Sequence, residues 1–283
     1  MKEIKQKLIN WQEAVLKQPA FKFVKKIIKQ FPEANIYLVG GAVRDIILDR
    51  ETKDFDFVVG KVDAKDIEKF LASEGKVNLV GKSFGVFKFV PRNDDETIDP
   101  IDIALPRTEH AGMSGGYRDF EIQSDKNLPI EKDLGRRDFT INGLAWDIHP
   151  VKYPAQRRGA PKALFNGVKN QLIDPYGGLK DLENKIIKAI GQPEQRFQED
   201  YTRMLRAIRF SCQLNFEIED KTLSVIKKKA EEIISIPKER INEEFTKIIM
   251  SDNAETGLRL MQKIGLIKIL TPELEEGVGV GQN

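Results

Sequence analysis

Cysteine is almost absent from this chain: Cys212 is the only one in 283 residues. A single thiol excludes an internal disulfide framework and any cysteine-rich zinc site. Long apolar runs are missing too. No stretch approaches the ~20 residues that span a bilayer. The opening MKEIKQKLINWQEAVLKQ is charged and helix-like, without the apolar segment of a signal peptide. No membrane association is expected, and the simplest location is the cytoplasm. An excess of one charge is also lacking, since 46 basic residues against 44 acidic leave a net +2. That balance permits a polynucleotide partner without demanding one. The basic clusters Lys25, Lys26 and Lys29, then Arg157 and Arg158, then Lys227 to Lys229 read first as solvated surface.

What is present fits a globular protein of one large or two modest domains, 40% hydrophobic and 32% charged. Residues 3–31 carry helical periodicity, with Ile4, Leu8, Trp11 and Val15 and then Phe23, Ile27 and Ile28, and Pro32 closes the pattern. Ile36–Val39 reads as a strand running into Gly40-Gly41, with a helix from about Ala42. FDFVV (55–59), KVNLVG, FGVFKFVP and IDIALP read as further strands, and 64–74 as a helix. The expected fold class is α+β: a head with a small mixed sheet over 1–150, then helices. Residues 150–167 hold three prolines and two glycines, so 151–175 reads as a loop or insertion and connector. From Gly178 on, helices are expected at 178–190, 194–214, 219–234, 237–250 and 254–270. That makes 176–250 a helical neck and 251–283 the start of a further helical body that the chain holds only in part.

Chemistry concentrates in GGAVRD (40–45) followed by KDFDF (53–57). Alternation along a strand puts the Asp54 and Asp56 carboxylates on one face and Phe55 and Phe57 on the other. Neighbouring carboxylates repel unless a cation lies between them, and hard oxygen donors suit Mg²⁺, which also binds phosphates. Two such ions can activate a hydroxyl and clamp a leaving pyrophosphate. A Gly-Gly turn at a helix start offers backbone N–H groups to a phosphate, and Arg44 lies one turn further on. A lone Asp-x-Asp is a common strand pattern and a lone Gly-Gly is usually a turn. Strand, Gly-Gly, Arg, helix and acidic pair in that order point to phosphoryl chemistry.

LVGGAVRD with DFDF resembles the opening motif of the class II tRNA nucleotidyltransferase and bacterial poly(A) polymerase family, within the polymerase-beta-like superfamily. The resemblance runs from about residue 36 to 250 and implies a polymerase-beta-like nucleotidyltransferase head. It implies a third carboxylate, for which Asp102 in IDIAL is the candidate; Asp102 reads equally as a surface acid on an edge strand. RRDFTINGLAWD (136–147) resembles the next family motif. There Arg137 would meet the triphosphate, or else form a surface ion pair with Asp138 or Asp133, ahead of a helix capped by Asp138 or Thr140. LIDPYGGLKDL (172–182) also matches, as a turn joining head to neck, and IPKERINEEFTKIIM (236–250) fits the later neck segment.

EDYTRMLRAIRF (199–210) is read as one helix. Met204, Leu205, Ile208 and Cys212 lie on one side and Glu199, Arg203 and Arg206 on the other, with Asp200 and Arg209 at the margins and Phe210 out of pattern. Taken alone, this is an amphipathic helix with a solvated charged face. The family resemblance implies a protein template instead. Asp200 and Arg203 would present acceptor and donor groups to the base edge. Glu199 would orient Arg203. Arg206 and Arg209 would lie deeper, holding nucleotide or carboxylates.

VGKSFGVFKFV (80–90) resembles the tRNA enzymes more than the poly(A) polymerases. The Gly-rich RTEHAGMSGGYRDFEI (107–122) resembles the flexible loop used to add the terminal A. The expected activity is therefore addition of C and A from CTP and ATP to the tRNA 3′ end, with release of pyrophosphate. Addition of CC alone, of A alone, or of poly(A) are the alternatives. QRRGAPK within 150–167 reads as a surface loop, or as a phosphate-contacting insertion through Arg157, Arg158 and Lys162. The closing PELEEGVGVGQN resembles the approach to a phosphohydrolase domain that some relatives carry. With two histidines, His110 and His149, this chain cannot hold that His/Asp site.

Overall fold

A computed structural model describes residues 1–52, 54–79, 85–92, 99–111, 120–148 and 172–276. The sequence motifs at 150–167 and 277–283 therefore lie outside the described residues. The chain forms two compact units. One holds Met1–Glu109, Ile122–Arg137 and Asn142–Tyr176, and the other His110–Glu121, Asp138–Ile141 and Gly177–Asn283.

The first unit opens with α1 (Lys2–Val15) and, after a 3-10 turn at Pro19–Phe21, α2 (Lys22–Gln30). Then come β1 (Asn35–Val39), α3 (Gly41–Ile47), β2 (Asp56–Gly60), α4 (Ala64–Glu74), β3 (Gly75–Leu79), β4 (Val86–Pro91) and β5 (Ile101–Ala104). β6 (Arg107–Ala111) and β7 (Phe120–Ser124) form a separate two-stranded sheet, and α5 (Ile130–Gly135), β8 (Ala145–Asp147) and β9 (Leu172–Ile173) follow. Seven strands make one sheet in the order β3-β4-β5-β2-β1-β8-β9, and every pairing is antiparallel except that of β2 with β5.

Alternation along β2 sorts the two faces of this sheet. Phe55 and Phe57 meet Phe21 with ring centroids 5.0 and 6.3 Å away, and Phe23 meets Phe57 and Phe89 at 5.9 and 5.1 Å. Each ring buried this way contributes about 1.5–3 kcal/mol. On the other face Val39, Val58 and Ala145 pack with Ile130 and Leu134 of α5, bordered by Tyr37, Ile173 and Tyr176. Trp146 is fully buried, and its Nε1–H donates to Gln12 Oε1 at 2.7 Å, which ties α1 to β8.

Three expectations change in this unit. The segment after Arg137 does not become a helix: one 3-10 turn, Thr140–Asn142, gives way to β8, because Ala145–Asp147 pair with β1. Asp54 does not lie on β2. β1 ends at Val39, opposite Asp56, because Gly40 turns the chain with φ of 71°, so the residues before Asp56 have no β1 partner. The segment 107–122 is not all loop, since its flanks are β6 and β7; 112–119 lie outside the described residues.

The second unit contains α6 (Gly178–Glu183), β10 (Ile186–Ile187), α7 (Pro193–Glu199), α8 (Thr202–Leu214) and β11 (Glu217–Ile218). It continues through α9 (Asp220–Lys228), α10 (Lys238–Ile249), α11 (Ala254–Lys263), α12 (Leu266–Leu270) and α13 (Pro272–Glu276). From Gly177 on, its described residues are helical apart from the two-residue parallel ladder of β10 with β11, which ends the expected 178–190 helix early. The expected 194–214 helix is two helices. Asp200 is extended, with φ of −158° and ψ of 104°, and its Oδ1 accepts the Thr202 N–H at 3.0 Å. Bonding of an Asp side chain to the backbone two residues on competes with helix continuation and starts a new helix instead.

Ten of the 13 residues of α8 are buried, so it has no broad solvated face. It packs against α7, α10 and α11. Phe210 sits 5.9 Å from Phe139, edge-on, with the Arg209 guanidinium 4.2 Å above its ring. That partner comes from a distant part of the chain, which helical periodicity alone does not reveal.

The fit of α8 against α11 is tight at Gly257. A Cβ there would collide with Cys212 Sγ and lie 2.9 Å from Ile248 Cγ2. In an open helix Gly→Ala gains about 1 kcal/mol. Here Gly257→Ala should instead lose about 1–3 kcal/mol through overpacking, read as a lower urea midpoint. Adding Cys212→Ala should recover part of the loss.

Candidate functional site

The end of β1 is built around Gly40. Its φ of 71° suits glycine, and a Cβ would collide with Arg137 Nη1, so the missing side chain is what lets that guanidinium lie over the turn. Contrary to the expectation from the sequence, the Gly40 N–H is not open to a ligand: it donates to the Leu144 carbonyl at 3.0 Å. The donors left at the helix start are the N–H groups of Gly41 and its successors, which by geometry have no intrahelical acceptor. Arg44 is folded back and buried. Its Nε and Nη2 bond Asp45 at 2.8 and 2.9 Å, and its Nη1 bonds Asn142 Oδ1 at 2.7 Å. It braces the turn from behind.

Asp54 is exposed, just ahead of β2, and Asp56 is the strand's first residue. Parallel pairing sets Asp56 beside Asp102, and the Asp102 N–H donates to the Phe55 carbonyl at 3.0 Å. Antiparallel pairing sets Asp102 opposite Lys88, with Nζ 3.2 Å from Oδ1. Paired residues share a sheet face, so Asp56, Asp102 and Lys88 lie side by side across three strands. Asp102 is thus in the sheet interior, not on an edge strand. Burial pushes the Asp56 carboxyl above its ordinary range. Arg137 and Lys88 pull it down, and Asp102 and Asp54 push it further up.

Arg137 follows α5, which packs on this same sheet face. Its Nη2 is 3.9 Å from Asp133 Oδ2, and its Nε is buried without a hydrogen-bond partner among the described residues. Buried N–H groups are nearly always hydrogen-bonded, so this one is a departure that needs a reason.

Among the described residues no group of three or more His, Cys, Asp or Glu side chains is arranged to hold a metal ion. The donor set nonetheless fits a hard cation. Asp54 and Asp56 form no salt bridge among the described residues, and burial disfavours the Asp56 charge as it stands.

In the second unit, four charged residues singled out in the sequence occur within ten positions, each on a partner. Asp200 is gripped bidentately by Arg240, with Nη2 to Oδ2 at 2.7 Å and Nη1 to Oδ1 at 3.2 Å. Arg203 is bonded to Glu199, which also pairs with Arg196 at 2.8 Å, and to the Arg196 carbonyl at 3.0 Å. Arg206 Nε and Nη2 reach Asp138 Oδ2 at 2.7 and 2.5 Å. Burial works against the Arg206 charge, but Asp138, Glu244 and Asp200 outweigh it and hold its pKa above the ordinary arginine value. Arg209 Nε lies 2.7 Å from Glu244 Oε2. Glu199 does hold Arg203, and Arg206 and Arg209 do hold carboxylates.

Sequence reasoning missed Arg240, Glu244, Asn142 and Lys88, and it set Asp138 aside as a cap. A signal existed for two of them. Arg240 and Glu244 are four apart in IPKERINEEF, hence on one face of α10, and they meet Asp200 and Arg209.

Residues 36–188 match the model of the poly(A) polymerase head domain, and 215–277 match that of the probable RNA- and SrmB-binding site of polymerase A. A multifunctional CCA protein of Neisseria gonorrhoeae (strain NCCP11945) is 34% identical over 248 residues, which are 87% of this chain and 52% of that protein. A CCA-adding enzyme of Lactobacillus helveticus (strain DPC 4571) is 36% identical over 222 residues, 75% of this chain and 45% of that protein. Among solved structures, the Bacillus stearothermophilus CCA-adding enzyme in complex with CTP superposes with a TM-score of 0.66 at 27% identity, covering 88% of this chain and 53% of that one. The Thermotoga maritima CCA-adding enzyme complexed with tRNA gives 0.65 at 28%, covering 87% and 50%. The chain spans about half the length of the relatives it matches.

The raised Asp56 carboxyl has a stability consequence. A folded-state pKa above the unfolded one favours the fold below the unfolded value, near pH 4, and that advantage is lost as pH rises through the folded value. At pH 7 in EDTA, Asp56→Asn should therefore melt higher than the parent by roughly 2–4 °C. The gap should close as pH falls below about 4. Differential scanning fluorimetry across pH reads this directly, and equal melting at pH 7 would contradict it.

Proposed function

Since the chain belongs to the family defined by the poly(A) polymerase head domain, we propose that it adds C and A nucleotides from CTP and ATP to the 3′ end of tRNA without a nucleic-acid template. The observation that carries this reading is the register of Asp56 with Asp102 beside the Gly40–Gly41 turn, with Arg137 lying over it. The relatives' names and the CTP- and tRNA-bound structures support the choice of substrates.

In this reading the tRNA 3′-hydroxyl oxygen attacks the α-phosphorus of the nucleotide in line. The bond from that phosphorus to the bridging oxygen breaks, pyrophosphate leaves, and the hydroxyl proton passes to solvent. Arg137 neutralises the triphosphate through the N–H that now lacks a partner. Gly40 keeps space for that guanidinium, and Gly41 offers its N–H at the start of α3. Arg44, through Asp45 and Asn142, keeps the turn in shape. Asp54 and Asp56 are the residues that hold the divalent ion, and Asp102 is the third carboxylate of the set. Mg²⁺ is the ion these oxygen donors suit, and when bound it lowers the hydroxyl pKa and screens the pyrophosphate charge.

Base choice falls to the second unit. A carboxylate accepts from the exocyclic amino group that cytosine and adenine share, and a guanidinium donates to a ring nitrogen or carbonyl. Asp200 and Arg203 supply those groups, and their grips on Arg240 and Glu199 fix the orientation in advance. Arg206 and Arg209 secure α8 below them. The single cysteine favours a reducing compartment, the cytoplasm in this reading.

Two measurements test this. Asp54→Ala should lower nucleotide incorporation by roughly a thousandfold or more, since losing a metal ligand costs several kcal/mol of transition-state stabilisation. Its circular dichroism and melting should stay close to the parent's. Unimpaired incorporation would sink the mechanism. Separately, tRNAs ending at the discriminator base, at C and at CC are incubated with CTP, ATP or both, and product lengths are read on a gel. Completion of CCA from each end is expected. Growth only to CC, or only from CC to CCA, would restrict the activity, and long tails from ATP alone would make it a poly(A) polymerase.

A further inference from the structure

Lys88 has no role in the chemistry above, yet it sits against the acidic set. It is the residue of β4 directly opposite Asp102, and its ammonium is 3.2 Å from Asp102 Oδ1. That oxygen is shut off from water and has no hydrogen-bond partner among the described residues, and the lysine is its nearby counter-charge. Asp102 in turn pairs with Asp56 in register. β5 lies between β4 and β2, so the ammonium meets Asp102 from the side away from Asp56 and offsets part of the charge that a divalent ion shared by the two carboxylates would need. An ammonium and a divalent ion on the two flanks of one carboxylate repel each other, so each weakens the other's hold on Asp102. Lys88 is about half exposed and has a flexible stem, so it can be displaced toward solvent.

We propose that Lys88 is a displaceable counter-ion that keeps the nucleotide-free acidic site weak for divalent metal, so that the ion enters with the nucleotide's phosphates. This rests on the metal-site reading of Asp54 and Asp56. Lys88 is a positioning residue here, acting on Asp102. Nucleotide phosphates supply the extra negative charge that shifts the balance from ammonium to divalent ion.

The test is Mn²⁺ binding to the nucleotide-free protein, followed by electron paramagnetic resonance of the free ion. Lys88→Met and Lys88→Gln should each bind Mn²⁺ roughly ten times more tightly than the parent at low salt. The gap should narrow as ionic strength rises, as it must for a partly exposed charge and would not for a packing effect. With saturating CTP the three proteins should bind Mn²⁺ alike. Equal affinity of both variants and the parent without nucleotide overturns the role of Lys88. Asp56→Asn separates the two readings. If it abolishes Mn²⁺ binding while the lysine variants match the parent, only the counter-ion role fails. If it binds Mn²⁺ as the parent does, the metal site itself is misassigned and the inference falls with it.

Discussion

The parallel pairing of β2 with β5 is the constraint on which the head depends. Every other neighbouring pair in the seven-stranded sheet is antiparallel. This one pair sets Asp56 and Asp102 side by side, with Phe57 and Ile103 next in register. Phe57 and Ile103 are almost wholly buried, so a one-residue slip would carry both to the other face. The aromatic layer from Phe21, Phe23 and Phe89 thus holds the carboxylates in place from the opposite side of the sheet. Burial first, and the neighbouring like charges after it, disfavour the Asp56 charge and raise its carboxyl above the ordinary range.

The helical unit solves a different electrostatic problem. Arg203, Asp138 and Glu244 are all at or below about a tenth exposed. Charges in such places cost several kcal/mol each when unpaired. Each is paired here, and the partners come from different elements. Asp138 lies before the 3-10 turn, Glu244 on α10 and Glu199 at the end of α7. A network of this kind is weak as a source of stability and strong as a source of orientation, because each planar guanidinium can satisfy its carboxylate in few geometries. The break at Asp200 belongs to the same design. A continuous helix would have set the Asp200 carboxylate on the helix flank. The extended residue lets it cap α8 and meet Arg240 together.

Much of this was legible in the sequence, and the failures have physical causes. Strands were read correctly where alternation met a turn, as at Ile36–Val39 and Phe87–Phe89. Gly40-Gly41 was read correctly as a turn into a helix, since glycine's conformational freedom is a local property. What failed depended on distant partners. Residues after Arg137 carry capping residues, yet Ala145–Asp147 pair with β1 and become a strand. Phe210 looked misplaced because its partner, Phe139, is 71 residues away (210 minus 139). Asp54 looked like a strand residue because alternation cannot say where a neighbouring strand stops. At the site, the carboxylates and arginines were identifiable by type and spacing. The residues that hold them, Asn142, Arg240 and Glu244, were not, because nothing local marks a polar side chain as the partner of another element's charge.

Where these failures cluster is itself informative. A sequence meant only to fold would satisfy its buried groups locally and keep like charges apart. This chain instead leaves a buried Arg137 N–H without a partner among the described residues, holds adjacent carboxylates at the centre of a sheet, and sets an extended Asp just ahead of its most buried helix. In the reading proposed above, the first two of these suit phosphate for the arginine and a hard cation for the carboxylates. Stability alone accounts for none of them. For Arg137 and the two carboxylates, a ligand of opposite charge would offset what folding leaves unbalanced.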